Sequence, residues 1–243
     1  MKTKWGISGS VLKWFAVITM VIDHFGASVL ETYVMNVWGR SPLGNLFSDH
    51  WNELLRVDRI LRYIGRPAFP IFCFLLVEGF LHTRDVKKYA MRLGIFALIS
   101  EIPFDLAVRG KFFDWQYQNV YVTLLLGLLT IWALKTQKDV WYLRLVIAAV
   151  GCALGELVHC DYGAMGVALI VVLYLMRESR FQQCITGAIC TYWELPAPLA
   201  FIPIWFYNGE RGRQPKWFFY WFYPVHLLIY GLIGSWILPG ILL

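Results

Sequence analysis

Apolar residues run along this chain in blocks that are separated by short polar stretches. The blocks cover residues 11–33, 67–81, 93–108, 119–134, 140–158, 162–176, 182–207 and 217–239. A transmembrane helix needs roughly 20 predominantly apolar residues, and repeated blocks of this kind leave no length for a sizeable soluble domain. The pattern predicts an all-α fold, a polytopic transmembrane helical bundle of about eight spans, with residues 1–243 in a single integral membrane domain.

Two segments depart from this pattern. Residues 51–63 read WNELLRVDRILRY, which predicts an amphipathic helix lying in the membrane interface. Residues 182–207 are apolar but are interrupted at 193–198 by WELPAP. This segment is either one broken helix or two short re-entrant halves, and the two alternatives place the following loop, Tyr207–Lys216, on opposite sides of the membrane.

The composition agrees with a protein embedded in the lipid bilayer. Charged residues make up 16% of the chain, whereas globular proteins have about 25%. The net charge is +6, and because basic residues near span ends set topology, we assign this excess to orientation and not to a nucleic-acid partner. The basic loops 82–92, 135–144 and 176–180 alternate as expected for a cytoplasmic N-terminus. We therefore predict a multi-pass protein of a bacterial inner or plasma membrane.

Asp23 and His24 form an ionisable pair near the middle of the first block. His24 lies about 16 Å along a helix axis from Lys13, close to the midplane of a hydrocarbon core about 30 Å thick. One interpretation makes His24 a general base that Asp23 orients. The other makes the pair a structural link between two helices. Adjacent helical residues point about 100° apart, so an arginine is an alternative partner for Asp23.

A second group of candidates surrounds the second block. Arg62 and Arg66 lie four residues apart ahead of Pro67, where they either bind phosphate bidentately or anchor the span at the lipid headgroups. Glu78 lies one turn inside the far end of this block, where it either lines a cavity or pairs with the basic loop that follows. The basic residues of that loop are Arg84, Lys87, Lys88 and Arg92.

Polar residues also lie in or beside the later blocks. Tyr223 and His226 are three residues apart on one helical face. Asn119, Asp161 and Tyr162 are further candidates, with helix capping as the alternative role of Asp161. The five cysteines form no CxxC pair, and no P-loop, GxSxG, HExxH or GxGxxG motif is present. This leaves group transfer or transport within the membrane, with no metal site.

Seven segments occur in a fixed order: LKWFAVITMVIDHFG, GRPAFPIFCFLLVEGFLHTR, YAMRLGIFALISEIPFD, NVYVTL, DYGAMGV, YNGERG and FYPVHLL. Together they resemble the TraX family of membrane proteins, named for the acetylase that N-acetylates the N-terminus of conjugative pilin. The first and last segments are also similar to those of membrane acyltransferase family three. This resemblance implies that His24 is the catalytic histidine and that Arg62 and Arg66 handle an acyl-CoA donor. It also matches Tyr223 and His226 to a C-terminal tyrosine–histidine element.

We therefore expect an acyltransferase that moves an acetyl group from acetyl-CoA, as co-substrate, to an amine or hydroxyl. The acceptor is a peptide, a protein or a small molecule. His24 and Asp23 are the expected catalytic residues. The expected donor-binding residues are Arg62, Arg66, Arg84 and Arg92, and the expected cavity or acceptor residues are Glu78, Asn119, Asp161, Tyr162, Tyr223 and His226.

Three questions of function stay open from the sequence. Direct transfer and an acetyl-histidine intermediate fit these residues equally well. A proton-coupled transporter is the competing class, because it also uses intramembrane Asp and His residues such as Asp23, His24 and His226. A scaffold membrane protein is a third class, and it predicts no effect of His24→Ala on activity.

Overall fold

The computed structural model describes residues 6–39, 48–137 and 140–239, and this part of the chain is predominantly helical. Its ten α-helices are α1 Gly9–His24, α2 Trp51–Gly65, α3 Ala68–His82, α4 Val86–Phe104, α5 Val120–Thr136, α6 Trp141–Leu157, α7 Gly163–Leu175, α8 Arg180–Cys190, α9 Phe201–Trp205 and α10 Lys216–Leu232. Three helices continue in the wider π register, at Phe25–Trp38, Asp105–Arg109 and Ile233–Ile237. Short 3-10 helices cover Ser48–His50, Tyr192–Glu194 and Ala197–Ala200. The predicted all-α class is confirmed.

Within the described ranges, three helices are long and apolar enough to cross a membrane, namely Gly9–Val37, Trp51–His82 and Trp217–Ile237. Two shorter apolar helices, Val120–Thr136 and Gly163–Leu175, fall in the fourth and sixth predicted blocks. These helices support the predicted membrane location. The count of about eight spans and the cytoplasmic N-terminus stay predictions. The N-terminal Lys2 and Lys4, like Lys138 in the basic loop 135–144, lie outside the described residues.

The amphipathic helix predicted at 51–63 is present as α2. It continues through a turn at Arg66 and Pro67 into α3, so that Trp51–His82 form one helix of 32 residues. Proline is tolerated at this point because the first residues of a helical segment have no intrahelical acceptor for their N–H groups. The placement of α2 in the membrane interface stays a prediction.

The chain within 182–207 is broken, as its prolines predict. α8 ends at Cys190, and two short 3-10 helices precede the start of α9 at Phe201. Pro196 and Pro198 lack the N–H that an α-helical ladder requires. The hydroxyl of Thr191 donates to the carbonyl of Gly187 at 3.0 Å and so satisfies one of the last carbonyls of α8.

The helices form two compact units. The first comprises the described residues up to Ala16, Pro67–Leu98 and Gln116–Gln214. The second comprises Val17–Arg66, Ile99–Trp115 and the described residues from Pro215 onward. Each unit combines segments that are distant in the sequence, so no single boundary along the chain marks the division.

The first unit packs α3, α5 and α7 around fully buried apolar side chains, which include Phe74, Leu128 and Ile170. Close packing of α5 and α7 depends on Gly127. A Cβ atom at that position would lie 2.3 Å from Cδ1 of Ile170. Small residues let helix backbones approach closely, which is the usual way in which membrane helices gain packing contacts.

The second unit joins the first span to residues 99–115 and to the last helix. Tyr33 donates a hydrogen bond to the carbonyl of Leu106 at 2.6 Å, and the hydroxyl oxygen of Thr32 lies 2.8 Å from the carbonyl oxygens of both Val108 and Ala27. Gly234 lets the last helix approach, because a Cβ atom there would lie 2.0 Å from Cδ2 of Tyr33. These contacts bring the first and last predicted spans together, and with them their histidines.

Candidate functional site

The first span changes helical register directly after His24. α1 ends at this residue, and the 14 residues of Phe25–Trp38 continue in the π register. Hydrogen bonds in this register run from residue i to residue i+5. Such wide turns are rare in proteins, and those that occur often lie at functional sites. His24 therefore combines an unusual depth in the predicted membrane with a local change in the backbone.

His24 contacts His226 of α10 within the second unit. His24 Nδ1 lies 2.6 Å from His226 Nε2, and the two imidazole rings stack with their centroids 4.9 Å apart. His226 is buried, and its Nδ1 lies 2.7 Å from the carbonyl oxygen of Phe222. The two histidines thus form a chain of hydrogen bonds that starts at a main-chain carbonyl.

The carbonyl of Phe222 determines which ring nitrogens of the two histidines carry a hydrogen. A carbonyl oxygen only accepts, so His226 Nδ1 carries a hydrogen, and Nε2 of the neutral ring is then an acceptor. His24 Nδ1 must donate to it, which leaves the lone pair of a neutral His24 on Nε2. A histidine acts as a general base in this form, with Nδ1–H held by an acceptor and Nε2 facing the reaction.

Aromatic rings of α10 surround the two histidines. Tyr223 is buried, and its ring centroid lies 5.8 Å from those of both His24 and His226. Phe222 stacks on His226 at 5.0 Å, and Tyr230 meets the same ring edge-on at 5.9 Å. The structure therefore places Tyr223 and His226 together beside His24. Hydrogen bonds are stronger in such apolar surroundings than in water.

Asp23 faces α2 and pairs with Arg62. Arg62 Nη1 lies 2.6 Å from Asp23 Oδ2, and Arg62 Nε lies 4.0 Å from Glu31 Oε2. The Asp23 and Arg62 side chains are 14% and 22% exposed, so the contact is a largely desolvated, charge-assisted hydrogen bond. The sequence left two partners open for Asp23, His24 or an arginine, and the structure shows the arginine.

Two glycines allow this ion pair to form. A Cβ atom at Gly65 would lie 2.0 Å from Cβ of Asp23, and one at Gly26 would lie 3.1 Å from Oδ1 of Asp58 and 3.2 Å from Cβ of Leu61. At these positions the backbone of one helix therefore packs directly against side chains of the other. Because the helices are so close, the guanidinium of α2 reaches the carboxylate of the first span.

The remaining arginines predicted to bind the donor lie in a turn, in a loop and within α4. Arg66 lies in the turn between α2 and α3, where its N–H donates to the carbonyl of Arg62 at 3.1 Å. Arg84 is exposed in the loop before α4. Arg92 lies within α4, with its guanidinium carbon 5.7 Å from the ring centroid of Tyr89.

Glu78 belongs to a cluster in the first unit. Arg180 Nη2 lies 3.9 Å from Glu78 Oε1. The guanidinium of Arg180 also stacks over Phe74 at 4.7 Å and over Tyr207 at 5.2 Å. The sequence offered the basic loop 82–92 as the structural partner of Glu78 and did not single out Arg180. These contacts link α3, α8 and the start of the loop 207–216, and the cavity role of Glu78 stays a prediction.

Asn119, Asp161 and Tyr162 also belong to the first unit. The side chain of Asn119 caps the start of α5. Asp161 Oδ1 accepts a hydrogen bond from the hydroxyl of Tyr117 at 3.0 Å, and the ring of Tyr162 stacks on Phe69 with centroids 3.6 Å apart. Of the three side chains, that of Asn119 caps a helix, while those of Asp161 and Tyr162, which precede α7, contact Tyr117 and Phe69.

Sequence reasoning missed two contributors to the site in the second unit. Glu31 follows Asp23 by eight residues, about two helical turns, and this spacing was the available signal. The carbonyl of Phe222 has no signal in the sequence, because every residue carries one. Among the described residues, no group of three or more His, Cys, Asp or Glu side chains is placed to hold a metal ion.

The profile of the family described as TraX protein matches residues 8–234. The chain belongs to the TraX family. A relative from Dichelobacter nodosus, described as a probable fimbrial assembly protein FimC of serogroup H1, is 29% identical over 248 residues. The match covers 90% of this chain and 92% of the relative. No solved structure matches the chain. The resemblance seen in the sequence is thus confirmed over most of this TraX family protein.

Proposed function

We propose that this protein is an integral membrane acetyltransferase that moves an acetyl group from acetyl-CoA to an amine or hydroxyl acceptor. The hydrogen-bonded chain from the Phe222 carbonyl through His226 to His24 carries the proposal. It leaves His24 Nε2 as a base in a partly buried, aromatic site. The transfer of an acetyl group to a neutral nucleophile needs such a base to remove one proton.

The proposed step is direct transfer. The acceptor nitrogen or oxygen attacks the thioester carbonyl as His24 Nε2 takes its proton. The new C–N or C–O bond forms, the C–S bond breaks, and the thiolate of CoA receives the proton from His24. His226 Nε2 accepts from His24 Nδ1 throughout, and this hydrogen bond strengthens when His24 becomes an imidazolium.

The donor is a polyanion, and we assign its binding first to Arg66. Arg62, whose side chain is held by Asp23 at 2.6 Å, is proposed to support Arg66 in this role. Arg84 and Arg92 stay proposed donor-binding residues. A guanidinium binds phosphate bidentately, which an ammonium cannot do.

We propose a peptide N-terminus of a pilin-type subunit as the acceptor, because the relative from Dichelobacter nodosus is described as a probable fimbrial assembly protein. The proposed location is a bacterial inner membrane, crossed several times, with the N-terminus in the cytoplasm. This orientation follows the basic loops and gives the protein access to cytoplasmic acetyl-CoA.

The decisive experiment measures thiol release from acetyl-CoA by the protein purified in detergent, with and without acceptor peptides. The wild type should release CoA and acetylate the peptide. His24→Ala should abolish both. His50→Ala is the matched control, because His50 is exposed and pairs with Glu53 at 3.1 Å. Full turnover by His24→Ala would overturn the role of His24 as the base.

The same preparation tests the transporter alternative. Reconstituted into vesicles, a proton-coupled transporter would move protons or solute in the absence of acetyl-CoA. An acetyltransferase would release CoA and leave the proton gradient unchanged. Proton movement without CoA release would replace the proposed function.

A further inference from the structure

Ser28 is a buried polar residue for which the fold alone gives no reason. It is 0% exposed, and its Oγ has no hydrogen-bond partner among the described residues. Burying a hydroxyl without a partner is unfavourable, because the group gives up its hydrogen bonds to water. Buried polar atoms in native proteins nearly always have partners, so this exception calls for an explanation.

Other hydroxyl side chains in or next to helices make a hydrogen bond to a main-chain carbonyl that Ser28 does not make. Donation to the carbonyl four residues earlier is made by Ser235 at 2.7 Å, Thr130 at 2.8 Å, Thr186 at 2.7 Å and Thr191 at 3.0 Å. The hydroxyl of Thr32, within the π segment, is shared between the carbonyl five residues earlier, that of Ala27, and the carbonyl of Val108, each at 2.8 Å. Ser28 makes neither bond, so its hydroxyl is not consumed by its own helix.

The position of Ser28 links this hydroxyl to His24. Ser28 follows His24 by four residues in the same span, and residues at this spacing are neighbours with about 5–6 Å between Cβ atoms. Helical side chains also lean toward the N-terminus of the helix, so Ser28 leans back toward the turn that carries His24. The hydroxyl therefore lies on the side of the helix that carries the proposed base.

We infer that Ser28 donates a hydrogen bond to the thioester carbonyl oxygen as that oxygen becomes negative during acetyl transfer. This inference rests on the proposed function. Attack at the thioester carbon moves an electron pair onto the oxygen, and a donor fixed in a dry site stabilises that charge without reorganisation. An unused, buried hydroxyl one turn from the base meets this requirement, and it needs no proton of its own to be transferred.

The test compares three variants in the acetyl-CoA assay. Ser28→Ala should lower kcat by on the order of 100- to 1,000-fold with the KM for acetyl-CoA unchanged, because the donor acts in the transition state and not in ground-state binding. Ser28→Cys should recover part of the rate, since a thiol is a weak donor of similar shape. Ser235→Ala is the control and should keep wild-type kcat, because the Ser235 hydroxyl is already bonded to Gly231 at 2.7 Å.

The thermal midpoint of Ser28→Ala separates catalysis from folding. This variant removes an unsatisfied hydroxyl, so its midpoint should equal or exceed that of the wild type. A lower midpoint with a matching loss of active protein would make Ser28 structural and overturn the inference. An unchanged kcat in Ser28→Ala, with His24→Ala inactive, would overturn the inference alone. No CoA release by the wild type would overturn the proposed function and this inference together.

Discussion

Asp23 and Arg62 form an ion pair between the first span and α2, with 2.6 Å between Oδ2 and Nη1. Asp23 is next to His24 in the sequence, yet the two side chains have different partners, Arg62 for the aspartate and His226 for the histidine. The carboxylate therefore positions α2, and the orientation of the histidine depends on the last helix.

Loss of Arg62 should destabilise the protein. Arg62→Ala leaves the Asp23 carboxylate largely buried without its cation, which costs about 3 kcal/mol. The measurement is the thermal midpoint in detergent, and the double variant Asp23→Asn with Arg62→Ala should recover part of the loss. The control is Lys88→Ala, which breaks an exposed pair with Asp85 and should have little effect. Equal midpoints for Arg62→Ala and Lys88→Ala would contradict a stabilising role for the pair.

The effect of replacing His226 on kcat should depend on whether the new side chain can accept a hydrogen bond from His24. His226→Leu removes the acceptor of the His24 Nδ1–H group and should lower kcat by roughly 100-fold or more. His226→Gln offers a carbonyl oxygen and should recover part of the rate. The measurement is kcat for CoA release at saturating acetyl-CoA. If the leucine and glutamine variants have the same kcat, orientation by His226 is not important to the reaction.

A methyl group at position 65 should separate α2 from the first span. Gly65→Ala places a Cβ atom 2.0 Å from Cβ of Asp23, which forces a shift that costs roughly 1–3 kcal/mol. Both the thermal midpoint and kcat should fall, because the ion pair is stretched. Gly94→Ala is the matched control, since the nearest atom to its added Cβ is 3.7 Å away. A stable, active Gly65→Ala variant would show that the close approach is unnecessary.

The cluster around Arg180 should contribute to stability and not to turnover. Arg180→Ala removes the contact to Glu78 and the stacking on Phe74 and Tyr207, and should lower the thermal midpoint. Arg180→Lys should recover little, because an ammonium does not stack as a planar guanidinium does. The kcat per folded molecule should match the wild type in both variants. A selective fall in kcat would contradict this prediction and would support the predicted cavity role of Glu78.

The sequence predicted the helical class and the two histidines of the candidate site, and the reasons are physical. An ionisable residue at membrane depth stands out against apolar neighbours, so His24 and His226 were visible. The partner of Asp23 was not decided, because adjacent helical side chains point in different directions and only tertiary packing selects one. The tautomer of His226 depends on a main-chain carbonyl, which no residue type reveals. The polar residues Asn119 and Asp161 looked similar to Asp23 in the sequence, and only the folded chain shows that Asn119 caps α5 and that Asp161 accepts a hydrogen bond from Tyr117.

The π register after His24 makes the first span sensitive to the length of the chain. Every residue from Phe25 to Trp38 is placed by a count of residues from His24, so deleting one would rotate Glu31, Thr32 and Tyr33 away from their present contacts. A substitution does not change the direction in which the neighbouring side chains point around the helix axis. In homologous chains, the residue types of this segment should therefore vary more than its length. A homologue with an insertion or deletion there should have a site with different contacts.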